Sequence, residues 1–463
     1  MIRRAVHAGH AEAHDRGGGR ETRCHLGDHP VQHPFDLDFS RMLQIGTGAA
    51  RFGQHPAVAV RKLAHGLGTA SVDAEDEHAN SLLHHPAHRR LDTSRGRTGT
   101  FGSLMSDLFE RGRAVMKDAQ LAGAFPAAVC EVGRAAGPVW AEAFGRLSYD
   151  DDAAATTTET IFDLASLTKV MVTTSLVMAL VRQGTLSVET RVADVVPGWR
   201  GADRAGITVG QLLDHSSGLP AQFRLPPSAR GREEALAVLC AVPLERPPGA
   251  AAVYSDVGFM LLGRLIEIAA GHPLDALWRE LWSARPGADA VGAWLGFTPG
   301  ASQRPFIAPT ESSAERGGVL QGVVHDENAD VLGGVAGHAG LFGAAPAVGV
   351  FASWVLRSFH ESTWLATPEL MRQFSARGVV PGSSRALGWD TMLPTSSCGS
   401  LMSPTAIGHT GFTGTSLWID WERDVYVVLL TNRVHPTRKN ERFLPYRARF
   451  HDAVMTDLRL SKS

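Results

Sequence analysis

A serine and a lysine lie three residues apart in the segment 162–181, at Ser166 and Lys169. Residues at i and i+3 share a helix face, so the two side chains meet if Ser166 opens a helix. A serine hydroxyl becomes a nucleophile when a base lies beside it. Arginine keeps its proton, whereas a desolvated lysine can lose one. The pair predicts nucleophilic catalysis, although on this segment alone a helix-capping serine and a snorkelling lysine explain the pattern equally well.

Lysine is rare in this chain, which makes the position of Lys169 informative. Only five of the 45 basic residues are lysines, and Lys169 is the only one between Lys117 and Lys439. The apolar residues that follow it predict a buried helix. A lysine in the first turn of a buried helix needs a function, because desolvating an ammonium group is costly.

Two further motifs follow in order, Tyr254-Ser255-Asp256 before a periodic helix and His409-Thr410-Gly411 before a strand. Ser-x-x-Lys, Tyr-x-Asx and His/Lys-Thr-Gly in this order resemble the serine penicillin-recognising enzymes. The Tyr-x-Asx form resembles the class C β-lactamase branch, which includes esterases, D-aminopeptidases and low-molecular-weight penicillin-binding proteins. The segments 324–329 and 333–342 look like its penicillin-binding-protein and esterase members. The resemblance covers about residues 105–463.

The resemblance implies a role for each matching residue. Ser166 is expected to be the nucleophile, Lys169 and Tyr254 to transfer protons, and the backbone amides of Ser166 and Phe412 to form the oxyanion hole. The expected substrate-binding residues are Asp256, His409, Thr410, Gly411 and His338. A serine at a helix N-terminus independently suits an oxyanion hole, because its own N–H and the helix dipole favour negative charge there. For His338, a loop histidine bonded to the backbone is the stronger alternative.

Two motif residues differ from those of many relatives. Asp256 replaces asparagine, and a carboxylate near Lys169 is expected to hold the amine charged and weaken it as a base. His409 replaces the lysine of β-lactamases, so its positive charge is conditional near neutral pH. Both changes favour an ester or small amide substrate over efficient β-lactam hydrolysis.

The periodicity predicts an α+β fold, and the resemblance implies that this fold is of the β-lactamase/transpeptidase type. Strand patterns occur near both chain ends and helical patterns between them, which predicts one antiparallel sheet flanked by helices and formed from both ends. The sheet region is expected at about residues 105–165 and 400–463, and a mostly helical inserted subdomain at about 166–399.

Residues 1–104 differ from the rest of the chain. They hold twelve of the twenty histidines but no tryptophan or tyrosine, and they sustain no helical or strand period. The expectation is a disordered leader or a mis-annotated start, with a serine hydrolase domain at 105–463. A chance cluster explains His84, His85 and His88 better than a metal site.

Charge and composition exclude several classes of function. A formal net charge of −2 gives no global field for nucleic acid or a membrane surface. The longest apolar run is too short to span a bilayer, and no signal peptide is visible, so a cytoplasmic location is the default expectation. The four cysteines lack metal or redox spacing. His325 and Asp326 lack further ligands at metal spacing, so no metal or cofactor is expected.

The leading hypothesis is a metal-independent serine hydrolase that cleaves a small ester, amide or peptide bond through an acyl-enzyme on Ser166, with an esterase-like substrate favoured. D-alanyl-D-alanine carboxypeptidase and β-lactamase are alternatives within the same chemistry. An inactive penicillin-binding-like binding module is the alternative from another class. An α/β-hydrolase is disfavoured because no serine lies in a Gly-x-Ser-x-Gly motif.

Overall fold

The computed structural model describes residues 109–229, 231–288 and 294–460, and the statements below concern these residues. The predicted leader, residues 1–104, lies outside them. The strands are β1 (Ala127–Arg134), β2 (Gly137–Gly145), β3 (Ile161–Asp163), β4 (Leu295–Phe297), β5 (Ser312–Ser313), β6 (Gly318–Val319), β7 (Leu341–Ala344), β8 (Asp390–Thr391), β9 (Ile407–Thr410), β10 (Ser416–Asp420) and β11 (Val425–Thr431).

The α-helices are α1 (Glu110–Leu121), α2 (Ser175–Arg182), α3 (Val192–Val195), α4 (Val209–Leu213), α5 (Arg232–Ala241), α6 (Asp256–Ala270), α7 (Leu274–Ser283), α8 (Glu327–Val331), α9 (Ala345–Ser358), α10 (Pro368–Ser375) and α11 (Leu444–Leu460). A π-helical segment, Lys169–Thr174, leads directly into α2. Short 3₁₀ turns occur at Arg304–Phe306 and Ala314–Arg316.

The main sheet has six strands in the order β2-β1-β11-β10-β9-β8, with every neighbouring pair antiparallel. At the centre of the sheet, β1 pairs with β11, and Ala128 lies opposite Thr431. This pairing joins segments that are about 300 residues apart in the sequence. The predicted α+β fold with a sheet formed from both ends is confirmed. One edge strand, β8, comes from within the segment expected to be helical.

The hairpin of β1 and β2 turns earlier than predicted. The Gly137-Pro138 pair favours a turn at that point, because both residue types are common in turns, but the turn residues are Ala135 and Ala136. Pro138 lies in β2 opposite Gly133, where the pairing register shifts. β2 is an edge strand, so a proline without a backbone N–H is tolerated there.

Helices cover both faces of the main sheet. α1 and α11 pack together on one face, where Phe109, Met116, Trp140 and Phe450 belong to a buried apolar cluster. α9 packs against β1, β10 and β11. The central strands β1 and β11 are buried on both faces, as expected for a sheet between two helical layers.

The middle of the chain carries a second, three-stranded sheet in the order β3-β7-β4. β3 leads directly into the segment that holds Ser166, and β7 follows the Gly-His-Ala-Gly sequence. This small sheet therefore brings residues near 163 and 340 together. By length and composition, no single helix in the described ranges could cross a membrane; α6 and α7, bent by 74°, meet the criterion only as a pair.

Candidate active site

Ser166 lies in the turn between β3 and the π-helical segment. The residue before it, Ala165, has a φ of +48°, a left-handed conformation that costs a residue with a side chain roughly 1–3 kcal/mol. Asp163 holds this conformation. Its Oδ1 accepts the Ala165 N–H at 2.9 Å, and its Oδ2 accepts the His325 N–H at 2.7 Å. The buried Asp163 carboxyl group therefore fixes the turn that contains Ser166.

The Lys169 side chain is fully buried, and three oxygen atoms surround its Nζ. Nζ donates to Ser166 Oγ and to the His338 carbonyl, each at 3.0 Å. Asp256 Oδ1 lies 2.7 Å from Nζ as an ion-pair partner, outside the angles of a regular hydrogen bond. The predicted approach of Ser166 and Lys169 is therefore present, and Asp256 completes the surroundings of the amine.

The helix that carries Lys169 is widened in its first turns. Thr174 Oγ1 donates to the Lys169 carbonyl at 2.8 Å, and Ser175 Oγ donates to the Val170 carbonyl at 3.2 Å, each across five residues. The β-branched residues in this run are crowded in a regular α-helix. Such π-helical turns are frequent at functional sites.

The ionic state of Lys169 follows from two opposing effects. Burial lowers the pKa of its amine, but the Asp256 carboxylate and Tyr254 together raise the pKa above its ordinary value. Lys169 is therefore an ammonium group at neutral pH. From the sequence, Asp256 was expected to hold the Lys169 amine charged and to weaken it as a base. The 2.7 Å distance and the raised pKa agree with this expectation.

Tyr254 lies among four other functional side chains. Lys169 Nζ and the Arg385 guanidinium carbon are each 5.0 Å from the centre of its ring. The rings of His215 and His409 lie at centroid distances of 4.7 and 5.7 Å. Burial raises the pKa of the Tyr254 phenol, although Lys169 partly offsets this. Tyr254 is therefore protonated at neutral pH and able to donate.

The backbone beside Tyr254 is anchored through Ser255. Its hydroxyl caps α6 by accepting the Gly258 N–H at 3.1 Å, and it donates to the Pro220 carbonyl at 2.6 Å. The Ser255 N–H donates to His215 Nδ1 at 3.0 Å. The loop that contains His215 therefore positions the second motif.

The third motif ends β9 beside the Ser166 turn. A side chain on Gly411 would bring a Cβ to 2.7 Å from the Leu164 carbonyl and 3.2 Å from Ala165 Cβ. Glycine is thus required here for packing within the protein, where the sequence had suggested close approach by a substrate. Among the described residues, the amides of Ser166 and Phe412 donate no hydrogen bond, which suits the predicted oxyanion hole.

The Phe412 ring contacts a histidine ring and an arginine guanidinium group. His325 stacks on it at 5.6 Å with an interplanar angle of 24°, and the Arg433 guanidinium lies 4.9 Å from its ring centre. These contacts constrain a side chain that is 51% exposed. They therefore help to fix the Phe412 amide.

His409 differs from the expectation of a conditional positive charge. It lines the cleft together with Thr410, but only 2% of its surface is exposed. Burial, with Lys169 and Arg385 nearby, lowers its pKa well below the ordinary value. Its Nδ1 donates to the Thr410 carbonyl at 2.8 Å, which leaves Nε2 as a neutral acceptor. His409 therefore contributes no positive charge near neutral pH.

His338 is not placed as a substrate-binding side chain. Its ring is buried, and Nε2 bonds to Asp326 Oδ1 at 2.8 Å. The side chain lines neither cavity described below, because the Asp326 contact directs it away. Its backbone carbonyl instead accepts from Lys169. The structure thus corrects the role of His338 to one of positioning the lysine.

The two residues considered as metal ligands from sequence have other partners. His325 Nε2 lies 3.2 Å from Glu311 Oε2, and Asp326 pairs with His338. Within the part of the chain that is described, no group of three or more histidine, cysteine, aspartate or glutamate residues is arranged to hold a metal ion.

Two adjoining cavities meet at Ser166. One, of about 280 Å³, extends past Gln222, Asp326 and Glu327; the other, of about 450 Å³, extends past Tyr254 and the third motif. Both cavities are lined by Ser166, Gln222, Asp256, Phe412 and Arg438. A substrate bound at Ser166 can therefore place one portion on each side of the nucleophile.

Sequence reasoning missed the cations of the larger cavity, which are Arg385, Arg433, Arg438 and Arg447. Arg438 is neutralised by Glu311 and Glu327. Arg447 is 7% exposed and forms no ion pair among the described residues; its guanidinium makes only 3.4 Å contacts to two carbonyls. Burial and neighbouring Arg433 lower its pKa to about 10, so it stays charged at neutral pH.

Arg433 is less isolated than Arg447. Burial lowers its pKa, but the Glu441 carboxylate, which lines the same cavity, partly offsets this. Arg433 donates to the Asn440 carbonyl at 2.8 Å, and its Nε, like that of Arg447, is buried without a hydrogen-bond partner in the described structure. In an arginine-rich sequence, no local pattern marks these two residues.

A family model described as Beta-lactamase matches residues 106–449 of this chain. The putative D-alanyl-D-alanine carboxypeptidase of Escherichia coli K12 is 32% identical over 315 residues, which cover 60% of this chain and 70% of that protein. The N-acetylmuramyl-L-alanine amidase of Bacillus subtilis 168 is 33% identical over 308 residues, covering 60% and 69%.

A solved structure, the class C β-lactamase from Rhodobacter sphaeroides, superposes with a TM-score of 0.59 at 17% identity, and the match covers 75% of this chain and 99% of that one. At this identity the match supports the fold alone. The family match spans the whole described site, from Ser166 to Phe412. The chain therefore belongs to the β-lactamase family of serine hydrolases.

Proposed function

We propose that this protein cleaves an amide bond through an acyl-enzyme on Ser166, and that its preferred substrate carries a carboxylate on the leaving-group side. The observation that carries the proposal is the 3.0 Å contact between Ser166 Oγ and Lys169 Nζ, beside a cavity whose lining includes Arg447, a buried arginine without an ion pair among the described residues. D-alanyl-D-alanine carboxypeptidase activity fits this description. The names of the E. coli and B. subtilis relatives point to the same class of cell-wall amide bonds.

The nucleophile and its helpers support acyl transfer. Ser166 Oγ attacks the carbonyl carbon, and the amides of Ser166 and Phe412 stabilise the oxyanion that forms. The protonated Tyr254 phenol donates to the leaving nitrogen as the tetrahedral intermediate collapses. Water then takes the place of the leaving group and hydrolyses the ester on Ser166.

The substrate class follows from the charges in the larger cavity. The preference for an ester or small amide rested on Asp256 and on His409, because neither supplies a permanent positive charge. Arg447 supplies such a charge within the same cavity, and a buried cation without an anionic partner is costly. A substrate carboxylate offsets that cost. A neutral ester remains the second candidate and is one arm of the test.

The test combines intact-mass spectrometry with steady-state kinetics. The substrates are an N-acylated peptide ending in D-Ala-D-Ala, the same peptide with an amidated C-terminus, p-nitrophenyl butyrate and nitrocefin. We expect an acyl adduct on wild-type protein that Ser166→Ala lacks, and a kcat/KM at least tenfold higher for the free carboxylate than for its amide.

Absence of any Ser166-dependent adduct would contradict acyl-enzyme catalysis. Equal turnover of the two peptides, with faster turnover of the butyrate ester, would assign the protein to the esterases instead. Lys169→Arg serves as a further variant, because arginine keeps a charge but cannot pass on a proton. It is expected to lose more than nine-tenths of the wild-type rate.

A further inference from the structure

The surroundings of Lys169 raise a specific problem for the proposed reaction. The amine is an ammonium group at neutral pH, and three oxygen atoms, of Ser166, His338 and Asp256, lie within 3.0 Å of its Nζ. An ammonium group cannot accept the Ser166 proton unless it first gives one away. Its neighbours differ in this respect, because a backbone carbonyl such as that of His338 is a very weak base, whereas the Asp256 carboxylate can take a proton.

We propose that Asp256 is a catalytic residue that takes a proton from Lys169 as Lys169 takes the proton of Ser166. The inference rests on the proposed acyl-enzyme function. Ser166 Oγ, Lys169 Nζ and Asp256 Oδ1 form a continuous path with steps of 3.0 and 2.7 Å. Asp256 also lines both cavities beside the nucleophile, so it adjoins the bound substrate.

Every proton that moves during acylation can be accounted for along this path. The Ser166 O–H bond breaks, and Oγ bonds to the carbonyl carbon of the substrate. Lys169 gains that proton and passes one of its own to Asp256, which becomes a neutral carboxylic acid. When the C–N bond breaks, Tyr254 protonates the leaving nitrogen. Asp256 returns its proton through Lys169 to Tyr254, and the original ion pair is restored.

Asp256 is well placed for this exchange. It is the first residue of α6, and its N–H donates to the Ala221 carbonyl at 3.0 Å, which fixes its backbone. Its side chain is 20% exposed, whereas that of Lys169 is fully buried. Because Lys169 gains one proton as it gives another away, it stays an ammonium group, and the negative charge passes from Asp256 to the oxyanion at the Ser166 and Phe412 amides.

Other ionisable groups face the pair, and a pH experiment must take account of them: Tyr254, His215, His409, Arg385, Asp326 and Asp163. Burial keeps both histidines neutral, since it lowers their pKa well below the ordinary value. His338 holds the pKa of Asp326 far below its usual range. Burial raises the pKa of Asp163 to about 6, and its titration is common to wild type and an Asp256 variant.

The decisive experiment compares kcat/KM of wild type and Asp256→Asn from pH 5 to pH 9, with the D-Ala-D-Ala peptide and with p-nitrophenyl butyrate. If Asp256 accepts the proton, wild type needs only an ionised carboxylate. The variant needs a neutral Lys169. The ratio of wild-type to variant activity is then at least tenfold at pH 6 and falls as the pH rises.

The opposite slope overturns the proposal. If Asp256 only keeps Lys169 charged, its removal lets burial lower the pKa of the amine, and the variant exceeds wild type at pH 7. A ratio that does not change with pH likewise excludes proton acceptance. Continued formation of the Ser166 adduct in either case shows that the proposed function survives while this inference fails.

A proton inventory makes the test independent of variant folding. The acylation rate of wild type is measured in mixtures of H₂O and D₂O, where two protons in flight give a curved plot. A linear plot would mean that a single proton moves and would overturn the proposal. Asp256→Glu retains the carboxylate, and we expect it to keep the wild-type direction of the pH dependence at a lower rate.

Discussion

The guanidinium carbon of Arg385 lies 5.0 Å from the centre of the Tyr254 ring, the same distance as Lys169 Nζ. Tyr254 thus has two permanent or near-permanent cations beside its ring. Both favour negative charge on the phenol oxygen, which develops as Tyr254 donates to a leaving group. Arg385 therefore acts on the step in which an amine leaving group is protonated.

Arg385→Gln is expected to lower kcat for the D-Ala-D-Ala peptide by about tenfold, since a cation–π contact contributes about 1–2 kcal/mol. Hydrolysis of p-nitrophenyl butyrate should change much less, because p-nitrophenolate leaves without a proton. Arg385→Lys keeps a cation and should retain most of the activity. The measurement is kcat for both substrates, and unchanged peptide hydrolysis in Arg385→Gln would exclude an effect on Tyr254.

Arg447 is expected to act on one class of substrate only. A charge-assisted hydrogen bond contributes about 1.5–3 kcal/mol, so Arg447→Gln should raise KM for the carboxylate-bearing peptide by about tenfold or more. Hydrolysis of the butyrate ester should not change. Arg449→Gln is the matched control, because Arg449 lies on the same helix but is exposed and paired with Asp118. Equal losses for both substrates would indicate a structural defect.

His409 should not make activity depend on pH between 6 and 8. Its pKa lies well below the ordinary value, so it stays neutral throughout this range. We expect His409→Asn and wild type to show parallel pH profiles for the D-Ala-D-Ala peptide. His409→Lys adds a buried charge beside Lys169 and Arg385, so a lower melting temperature and no gain in nitrocefin turnover are expected. An increase in wild-type activity toward pH 6 that His409→Asn lacks would disprove this.

Glu131 should make folding stability depend on pH. It is 2% exposed, accepts the Tyr426 hydroxyl at 2.8 Å, and burial raises its pKa from 4.5 to about 7. The folded state therefore binds the Glu131 proton more tightly than the unfolded state does. The resulting stabilisation is complete below pH 4.5 and is lost as the pH rises through about 7; it amounts to about 3 kcal/mol at most.

The test of Glu131 is chemical denaturation of wild type and Glu131→Gln at pH 5 and pH 8. Glutamine is neutral at both values and keeps an acceptor oxygen for Tyr426. The free energy of unfolding of the variant, relative to wild type, should increase between pH 5 and pH 8. Glu422→Gln, at an exposed turn, is the control and should show no such increase. An unchanged difference would mean that Glu131 does not titrate in this range.

The sequence was informative where chemistry depends on short local patterns. Ser166 and Lys169 meet because a three-residue spacing places them on the same face of a helix, and β10 and β11 correspond to the strand patterns expected at about residues 400–463. The family match confirms the resemblance that the three motifs indicated. The roles of the individual residues remain predictions for the experiments above.

Other features depend on residues that are distant in sequence. The charge state of His409 is set by burial against Lys169 and Arg385, which no pattern around residue 409 reveals. Asp163 supports the Ser166 turn through one oxygen while the other holds His325. Such contacts arise from tertiary packing. Sequence reasoning from single motifs therefore misses them.

The pairing of β1 with β11 has a consequence for the synthesis of the chain. Partner residues in this ladder are about 300 positions apart, so the centre of the sheet cannot close until β11 has left the ribosome. The third motif and Arg447 also emerge long after Ser166. A nascent chain that already displays Ser166 and Lys169 therefore lacks one side of its cleft, and hydrolytic activity can begin only after residues 407–447 have been synthesised.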